Sequence, residues 1–365
     1  MSFILPVRDD LRGVHSYGAP QVAVPVQLNV NENPFALPGE VIEALTDAVR
    51  QVASTLNRYP DRDARVLRSA LASYVKSESG VQVEGDLVWA ANGSNEVMHH
   101  LFLAFGGPGR TAISFHPTYS MYPEYARETF TEYLSFPRCP DFTVDVTAAT
   151  EQIVEHRPSI VIVASPNNPT GTAVSLADLV ILAGVCRETG SMLIVDEAYA
   201  EFRRAGTLSA LTVLSEFENL VVTRTMSKAF GMAGTRLGYA VASNRAVIDA
   251  LGVVRLPYHL STVTQVVATT ALSFASTLQA QVDLLRCERD DLQSWLISQG
   301  LVVPASDANF IFFGMFDDRD AVWQRVLDEG VLIRATGPPG WLRVSIGSPE
   351  ENGRFRSALL SAMDQ

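Results

Sequence analysis

Residues 192–199 read MLIVDEAY, a short apolar run that ends on the carboxylates of Asp196 and Glu197. A continuous apolar run of this length is typical of a buried strand in a parallel sheet. In open α/β sheets, side chains at the carboxyl end of such a strand point into the crevice where ligands bind. Asp196 is therefore a candidate site residue, although an acid that stands alone here is equally explained by a helix cap or an ion pair.

Strands alternate with helical patterns on both sides of this run. The predicted strands are residues 87–90, 110–115, 159–164, 192–196, 220–223 and 238–242. One connecting helix is predicted over residues 175–190, with Ser175 as its N-cap and Gly190 as its stop signal. Alternation of this kind predicts an α/β fold in which helices cover a mostly parallel central sheet.

The pattern changes after about residue 251, where a second region begins. Longer helices are predicted at 262–274 and 279–299, and strands at 309–313, 331–334 and 341–346. The chain has 365 residues, and a single core stops growing at about 250 to 300 residues. We therefore expect a second, smaller α+β domain. Outside this C-terminal region, helices are also predicted at 40–54 and 64–77, and the first 35 residues are expected to form an extended arm.

Composition and charge exclude several classes of function. The net charge is -12 and no run of basic residues occurs, so we expect no nucleic-acid partner. The longest apolar runs are shorter than the roughly 18 residues that cross a bilayer, and the first ten residues lack the features of a signal peptide. No membrane association and a cytoplasmic location are expected. Cys139, Cys186 and Cys287 lack Cys-x-x-Cys spacing and the adjacent His99 and His100 would face apart on a helix, so no metal site is predicted.

Lysine is rare in this chain, and its placement is informative. Of the 28 basic residues only Lys76 and Lys228 are lysines. Lys228 ends the run RTMSK at 224–228, just after a predicted strand, and Arg236 follows eight residues later. An amine for a Schiff base, hydroxyls with an arginine for a phosphate, and a carboxylate for a ring nitrogen are what pyridoxal phosphate requires. Lys228, this loop and Asp196 supply that set.

Two further polar loops follow predicted strands. The run ANGSNE at 91–96 opens an apolar helix, whose N-terminal N–H groups and dipole suit a phosphate. By itself this signal is weak, because Ser94 or Asn95 could serve only as an N-cap. The run SPNNPTG at 165–171 could be only a connection, but it is unusually polar and lies at the same predicted sheet edge.

With these motifs in place, the chain resembles the fold-type I aminotransferases and, among them, the histidinol-phosphate aminotransferases, over nearly its whole length. The resemblance rests on an ordered set of motifs. They are LNVNENP at 28–34, NRYP at 57–60, GSNE at 93–96, PTY at 117–119, NNPTG at 167–171, DEAY at 196–199, residues 224–239, LRV at 342–344 and EEN at 350–352. Two departures occur: Asn95 stands where many relatives have aspartate, and the segment between Arg334 and Arg343 is short.

The resemblance implies a role for each motif residue. Lys228 would form the Schiff base with pyridoxal 5'-phosphate, Asp196 would pair with the pyridinium nitrogen, and Tyr119 would stack on the ring. Asn168 and Tyr199 would bind the ring hydroxyl, and Tyr199 is counted with Lys228 and Asp196 as catalytic. The cofactor phosphate would be bound by Ser94, Asn95, Thr225, Ser227 and Arg236, with Tyr59 arriving from the neighbouring subunit of a homodimer.

The same resemblance implies the substrates and the domain boundaries. Arg334 and Arg343 would bind the phosphate of L-histidinol phosphate in one half-reaction and the carboxylates of glutamate or 2-oxoglutarate in the other, with Tyr17 and Asn33 closing the pocket. The products would be imidazole-acetol phosphate and glutamate, in histidine biosynthesis. The expected divisions are an arm at 1–35, a large cofactor-binding domain at 58–255, and a small domain made from 36–57 and 256–365.

Other functions remain open at the level of sequence. Aromatic amino-acid aminotransferases and a phosphothreonine decarboxylase share nearly the same motifs. A regulatory protein that binds the cofactor without turnover is a different class of alternative. A nicotinamide dehydrogenase is disfavoured because no Gly-x-Gly-x-x-Gly follows an early strand, and a phosphate-loop ATPase because neither lysine follows a glycine.

Overall fold

The computed structural model of the protein describes residues 5–14, 18 and 20–364. The α-helices in these ranges are α1 (Gly39–Ala53), α2 (Arg65–Ser79), α3 (Gly93–Phe105), α4 (Tyr122–Glu128), α5 (Val146–His156), α6 (Leu176–Thr189), α7 (Arg245–Val254), α8 (Thr262–Leu272), α9 (Ala275–Ser298), α10 (Arg319–Asp328) and α11 (Pro349–Met363). The strands are β1 (Val26–Gln27), β2 (Val88–Asn92), β3 (Thr111–His116), β4 (Glu132–Pro137), β5 (Ile160–Ala164), β6 (Met192–Asp196), β7 (Leu220–Thr225), β8 (Leu237–Ala242), β9 (Phe310–Gly314), β10 (Val331–Leu332), β11 (Arg334–Ala335) and β12 (Trp341–Ser345).

The central sheet has seven strands in the order β2-β8-β7-β6-β5-β3-β4. Strand β8 pairs antiparallel with both of its neighbours, and the other pairs are parallel. The predicted α/β fold with a mostly parallel sheet is thus confirmed. Strands β5, β7 and β8 are buried along their whole length, as expected where helices cover both faces of a sheet.

Alternation of side chains along the strands divides the core into two layers. In β6, Leu193 and Val195 belong to the cluster that includes residues of α2, α5 and α6. Ile194 belongs to the opposite cluster, with residues of α3, α4 and α7. Successive side chains of a strand point to opposite faces, so the central strands of the sheet lie between two helical layers.

The ends of α6 illustrate why the sequence was informative about this region. The Ser175 hydroxyl accepts a hydrogen bond from the Asp178 N–H at 3.1 Å, and Gly190 adopts a left-handed conformation with φ 77° at the other end. Both residues act as predicted. In contrast, β4 is a half-exposed edge strand and α4 has only seven residues, so neither carries a clear periodic signal and neither was predicted.

The C-terminal region builds a second, smaller sheet with the antiparallel order β11-β12-β9. Strand β1, from the N-terminal segment, pairs parallel with β10, where Val26 lies opposite Val331. The single predicted strand at 331–334 is therefore two short strands in different sheets. The chain ends in α11, which begins with a capping box between Ser348 and Glu351.

The described residues lack two further kinds of feature. None of their helices combines the length and apolar character needed to cross a bilayer. The same residues contain no cluster of histidine, cysteine and acidic side chains with the geometry to bind a metal ion. All three cysteines are free thiols.

Candidate active site

A cavity of about 320 Å³ opens where the large sheet faces the small sheet. One side of it, which we call the large-sheet wall, is formed by residues at the strand ends and at the start of α3. These are Ser94, Asn95, Asn168, Asp196, Tyr199, Thr225, Ser227, Lys228 and Arg236. The other side, the small-sheet wall, is formed by Asn29, Arg334, Thr336 and Arg343. The cavity therefore collects most of the predicted site residues.

Lys228 lines the cavity from the loop that follows β7. Its half-buried ammonium donates a hydrogen bond to the Val30 carbonyl at 2.9 Å. The pKa of Lys228 is lowered from 10.5 to about 8, first by burial and then by the positive charge of Arg343, with a smaller contribution from Arg236, while Glu32 opposes the shift. A larger fraction of this amine is neutral near physiological pH than of an ordinary lysine, so it can act as a nucleophile and as a base.

Asp196 ends β6 and is buried. Its carboxylate accepts hydrogen bonds from the Tyr122 hydroxyl at 2.8 Å and from the Thr223 hydroxyl at 3.2 Å. Burial raises the pKa of Asp196 above its ordinary value, and the two hydroxyl donors oppose that shift. A cationic group bound against this carboxylate would favour its charged form.

Tyr122 and Thr223, which orient Asp196, were not predicted as site residues. Thr223 stands one strand away from Asp196 in parallel register, so its contact follows from the strand order and not from local sequence. Tyr122 begins α4 and reaches Asp196 across 74 positions of the chain. The cluster of tyrosines at 119, 122 and 125 was a visible signal of an aromatic lining.

The start of α3 and Arg236 form a cradle for an anion. Gly93 begins α3 with φ 78°, and a Cβ placed on it would lie 2.7 Å from the Arg236 Nη2 atom. A Cβ on Gly238 would lie 2.2 Å from the backbone nitrogen of Ser94. Only glycine permits this close packing, which brings a guanidinium next to the free N–H groups of a helix N-terminus.

Hydroxyl groups complete the cradle on the side of β7. The Thr225 and Ser227 hydroxyl oxygens lie 3.0 Å apart, and both residues line the cavity. At the opposite edge, the Asn95 side-chain oxygen accepts hydrogen bonds from Tyr125 at 2.9 Å and from Tyr119 at 3.4 Å. The set of donors matches the needs of a phosphate group.

Tyr199 and Asn168 connect the large-sheet wall to other parts of the cavity. The Tyr199 hydroxyl accepts a hydrogen bond from the Asn31 side-chain amide at 3.0 Å. The Asn168 side-chain oxygen accepts one from Arg343 Nη1 at 2.5 Å. Asn31 is a further residue that was not assigned a role from sequence, although it lies inside the NENP motif.

The small-sheet wall carries two arginines opposite each other. Arg334 of β11 pairs in register with Arg343 of β12. Arg343 is buried, donates through Nη2 to the Asn29 carbonyl at 2.7 Å, and has its guanidinium carbon 5.2 Å from the centre of the Phe310 ring. Two adjacent guanidiniums provide a binding site for an anionic group of a ligand.

Two predicted site residues within the described ranges, Tyr59 and Asn33, are not part of this cavity lining. Tyr59 is 80% exposed and stacks on Tyr258, with ring centres 4.5 Å apart. Asn33 accepts a hydrogen bond from the Phe35 N–H at 3.0 Å, and its amide nitrogen lies near Gly231. Tyr17 lies outside the described residues. The roles expected for these three remain predictions.

A buried ion cluster lies behind the large-sheet wall, on the other face of β7. Arg224 is fully buried and contacts Glu197 at 2.8 Å and Glu78 at 2.6 Å, and Arg203 contacts Glu78 at 2.9 Å. Arg224 lies between Thr223 and Thr225, which face Asp196 and the cavity. The cluster therefore connects α2 to the strand ends that carry Asp196 and Lys228.

The amino-acid sequence is similar to those of known aminotransferases over nearly its whole length. Residues 23–359 match the family described as "Aminotransferase class I and II". The histidinol-phosphate aminotransferase of Thermobifida fusca is 56% identical over 358 residues, which is 98% of this chain and 95% of that protein. Histidinol-phosphate aminotransferase 3 of Burkholderia lata is 50% identical, over 98% of this chain and 96% of that protein.

Solved structures share the fold. The histidinol-phosphate aminotransferase of Sinorhizobium meliloti, solved in complex with pyridoxal-5'-phosphate, superposes with a TM-score of 0.87 at 21% identity, covering 100% of this chain and 99% of that chain. A tetra mutant of Thermus thermophilus aspartate aminotransferase gives a TM-score of 0.83 at 26% identity, with 98% of each chain covered. Both walls of the cavity lie within the matched residues.

Proposed function

The chain belongs to the class I and II aminotransferases and, within them, to the histidinol-phosphate aminotransferases, and from that premise we propose that it transfers the amino group of L-histidinol phosphate to 2-oxoglutarate with pyridoxal 5'-phosphate as its cofactor. The products are imidazole-acetol phosphate and glutamate, and the reaction serves histidine biosynthesis. The observation that carries the proposal is the position of Lys228, a half-buried amine with a lowered pKa between a phosphate cradle and two substrate-facing arginines.

The residues of the large-sheet wall fit the cofactor. The packing of Gly93 against Arg236 makes a cradle suited to the cofactor phosphate, which Ser94, Asn95, Thr225, Ser227 and Arg236 would bind. Asp196 would pair with the ring nitrogen, and Asn168 and Tyr199 would bind the ring oxygen. Tyr119 would stack on the ring. When bound, the cofactor supplies an electron sink for the electron pair left on the substrate carbon.

Lys228 supplies both the covalent attachment point and the base. When the substrate amine replaces it on the cofactor, its Nζ atom becomes free to accept a proton from the substrate carbon that carries the amino group. A pKa of about 8 keeps a useful fraction of this amine neutral near physiological pH. The Val30 carbonyl, at 2.9 Å, orients the nitrogen.

Asp196 holds a negative charge at the buried end of the site. The hydrogen bonds from Tyr122 and Thr223 fix the orientation of its carboxylate. A fixed negative charge beside the ring nitrogen favours the protonated form of that nitrogen, which strengthens the electron sink. Asp196 and Lys228 therefore act on opposite ends of the same ring.

Arg334 and Arg343 bind the anionic end of each substrate. Guanidinium groups form paired, charge-assisted hydrogen bonds with phosphate and with carboxylate, so one pair of arginines suits both half-reactions. Arg343 is already oriented by Asn168 and Asn29. Asn33 and Tyr17 are proposed to close the pocket over the bound substrate.

The proposed assembly is a homodimer with shared sites. Tyr59 is 80% exposed beside Tyr258, and the nearby Val253 and Leu256 are 83% and 77% exposed. Exposed apolar side chains of this size favour an interface. Tyr59 would reach the cofactor phosphate of the partner subunit.

The free cysteines favour a cytoplasmic location, where thiols stay reduced.

Absorbance spectroscopy of the purified protein with pyridoxal phosphate tests the proposal. Histidinol phosphate and phenylalanine are added separately, and the visible band of the lysine-linked cofactor is followed. We expect histidinol phosphate to remove the band far more efficiently than phenylalanine. A preference for phenylalanine would reassign the chain to the aromatic aminotransferases, and no spectral change with any amine would favour a regulatory protein without turnover.

Mixed dimers test the shared site. A Tyr59→Ala subunit and a Lys228→Ala subunit are each defective in homodimers. In a mixed dimer, one of the two sites would receive both an intact Tyr59 and an intact Lys228, so activity should partly return. If mixing restores none, Tyr59 does not act across the dimer.

A further inference from the structure

The short turn between β11 and β12 forms one edge of the cavity. Thr336 lies in this turn and lines the cavity together with Arg334 and Arg343. In the pairing of the two strands, Arg334 lies opposite Arg343, and Ala335 lies opposite Leu342, which is buried in the core. Thr336 directly follows β11, two positions after Arg334, and lines the cavity beside the two arginines.

The backbone next to Thr336 is held close to an aromatic ring. Gly337 has φ 74°, and a Cβ placed on it would lie 2.7 Å from Phe312 Cζ and 3.5 Å from Pro169 Cγ. Phe312 in turn stacks on Trp341, with ring centres 4.7 Å apart and an angle of 11° between the rings. Because the turn rests directly on this ring, it has little freedom to move Thr336 away from the cavity edge.

Part of the hydrogen-bonding capacity of Arg343 serves the protein itself. Arg343 uses Nη1 to bind Asn168 and Nη2 to bind the Asn29 carbonyl. The planar fork of a guanidinium matches the two oxygens of a carboxylate. A phosphate monoester has three terminal oxygens, so it gains from one more donor beside the arginines. A hydroxyl is suited to this role because it adds no charge.

We propose that Thr336 is a specificity-determining residue whose hydroxyl donates a hydrogen bond to a phosphate oxygen of the phosphorylated substrate. The inference rests on the proposed function, because it requires that one pair of arginines serves both a phosphate and a carboxylate. Thr336 then favours the phosphorylated amino donor and contributes little to the binding of glutamate or 2-oxoglutarate.

The variants Thr336→Val and Thr336→Ser test the hydroxyl. Valine keeps the branched shape and removes the donor, whereas serine keeps the donor. With the holoenzyme, single-turnover kinetics are measured for histidinol phosphate and for glutamate separately. We expect the valine variant to lose roughly 10- to 100-fold in kcat/KM for histidinol phosphate through a higher KM. Glutamate should change far less, and serine should restore the phosphorylated substrate.

Equilibrium binding provides a readout independent of turnover. Calorimetry measures the binding of inorganic phosphate and of succinate to the holoenzyme, whose cofactor phosphate cradle is filled. Phosphate should bind more weakly to the valine variant and recover with serine, while succinate binding is unchanged.

Each outcome of these measurements decides a separate point. Equal losses for phosphate and carboxylate ligands would overturn the role of Thr336 and assign its effect to pocket shape. Failure of the wild-type protein to turn over histidinol phosphate would instead overturn the proposed function, and the calorimetry would still decide whether Thr336 discriminates phosphate from carboxylate.

Discussion

In the large-sheet wall, Asp196 is oriented by Thr223 from the adjacent strand and by Tyr122. In the small-sheet wall, Arg343 of β12 is instead oriented by residues that lie outside β11 and β12. Its two partners, Asn168 and Asn29, come from the opposite wall and from the N-terminal segment. Asp196 is thus fixed by its own sheet and by α4, whereas Arg343 is fixed only where separate segments of the chain meet. Lys228 combines the two arrangements, because it follows β7 and donates to Val30 of the N-terminal segment.

The residues that pack behind the two walls also differ in kind. Behind the large-sheet wall, Arg224 and Glu197 form part of a buried ion cluster, and removal of one partner from such a pair costs about 3 to 5 kcal/mol. Behind the small-sheet wall, Phe312 and Trp341 pack with Phe142, and apolar contacts of this kind depend less on orientation. This difference predicts that substitutions in the large-sheet wall mainly lower kcat and that substitutions in the small-sheet wall mainly raise KM.

Lys228→Ala should have the largest effect of the changes considered. It removes both the covalent attachment point and the base, so we expect turnover to fall by about 10⁴-fold or more. Steady-state kinetics provide the measurement, with the thermal unfolding midpoint as a check on folding. Lys76→Arg is the matched control, because it changes the other, exposed lysine and should leave the rate unaltered. A Lys228→Ala protein that keeps even a few per cent of the activity contradicts the assignment.

Asp196→Asn should have the next largest effect. The substitution keeps the shape of the side chain but removes the charge that favours a protonated ring nitrogen, so kcat should fall by about 10²- to 10³-fold. Tyr122→Phe removes only one hydrogen bond to the same carboxylate and should cost about tenfold. Single-turnover rates at saturating substrate provide the test. If the tyrosine variant lost as much as the aspartate variant, the charge would not be the decisive property of this site.

Arg343→Lys tests the second wall. Lysine keeps the charge but loses the planar fork that contacts Asn168 and Asn29, so KM should rise by roughly 10- to 100-fold for both substrates while kcat changes less. Arg334→Lys provides a comparison: it also removes a fork that faces the substrate, but no contact with Asn168 or Asn29, so KM should rise less than in Arg343→Lys. A fall in kcat without a rise in KM would place Arg343 with the catalytic groups and abolish the distinction between the walls.

The two walls also differed in how far the sequence could predict them. Asp196 and Lys228 directly follow strands, and strand ends in a parallel sheet meet at one edge, so their proximity followed from local patterns. The phosphate cradle was predicted for the same reason, since Ser94 lies at a helix start and Thr225 at a strand end. The positive φ of Arg236 and its close contact with Gly93 needed the structure.

The contacts of the small-sheet wall depend on long-range packing, which no local pattern encodes. Arg343 contacts Asn29 across 314 positions of the chain and Asn168 across 175. The role of Thr336 could not be anticipated, because it depends on the register of a two-residue strand, β11. The pocket role expected for Asn33 from its motif stays a prediction; its side-chain amide oxygen accepts a hydrogen bond from the Phe35 N–H. The boundaries expected for the two domains and the arm stay predictions.

The smallest expected effect is a shift in the titration of Lys228, and it tests whether the two walls are electrostatically coupled. The pKa of Lys228 is lowered to about 8 by burial first and then by Arg343. Arg343→Gln should therefore raise that pKa toward 10.5, and Glu32→Gln should lower it, because Glu32 opposes the shift. Acetic anhydride labelling of the cofactor-free protein in the Lys76→Arg background, read by mass spectrometry across pH, measures the neutral fraction of Lys228.

Since the folded protein binds fewer protons than the unfolded chain between about pH 8 and 10.5, the free energy of unfolding should rise with pH across this window. Arg343→Gln should make that rise smaller. If the titration midpoint of Lys228 stayed fixed in both variants, the charge of Arg343 in the small-sheet wall would have no effect on the protonation of Lys228 in the large-sheet wall.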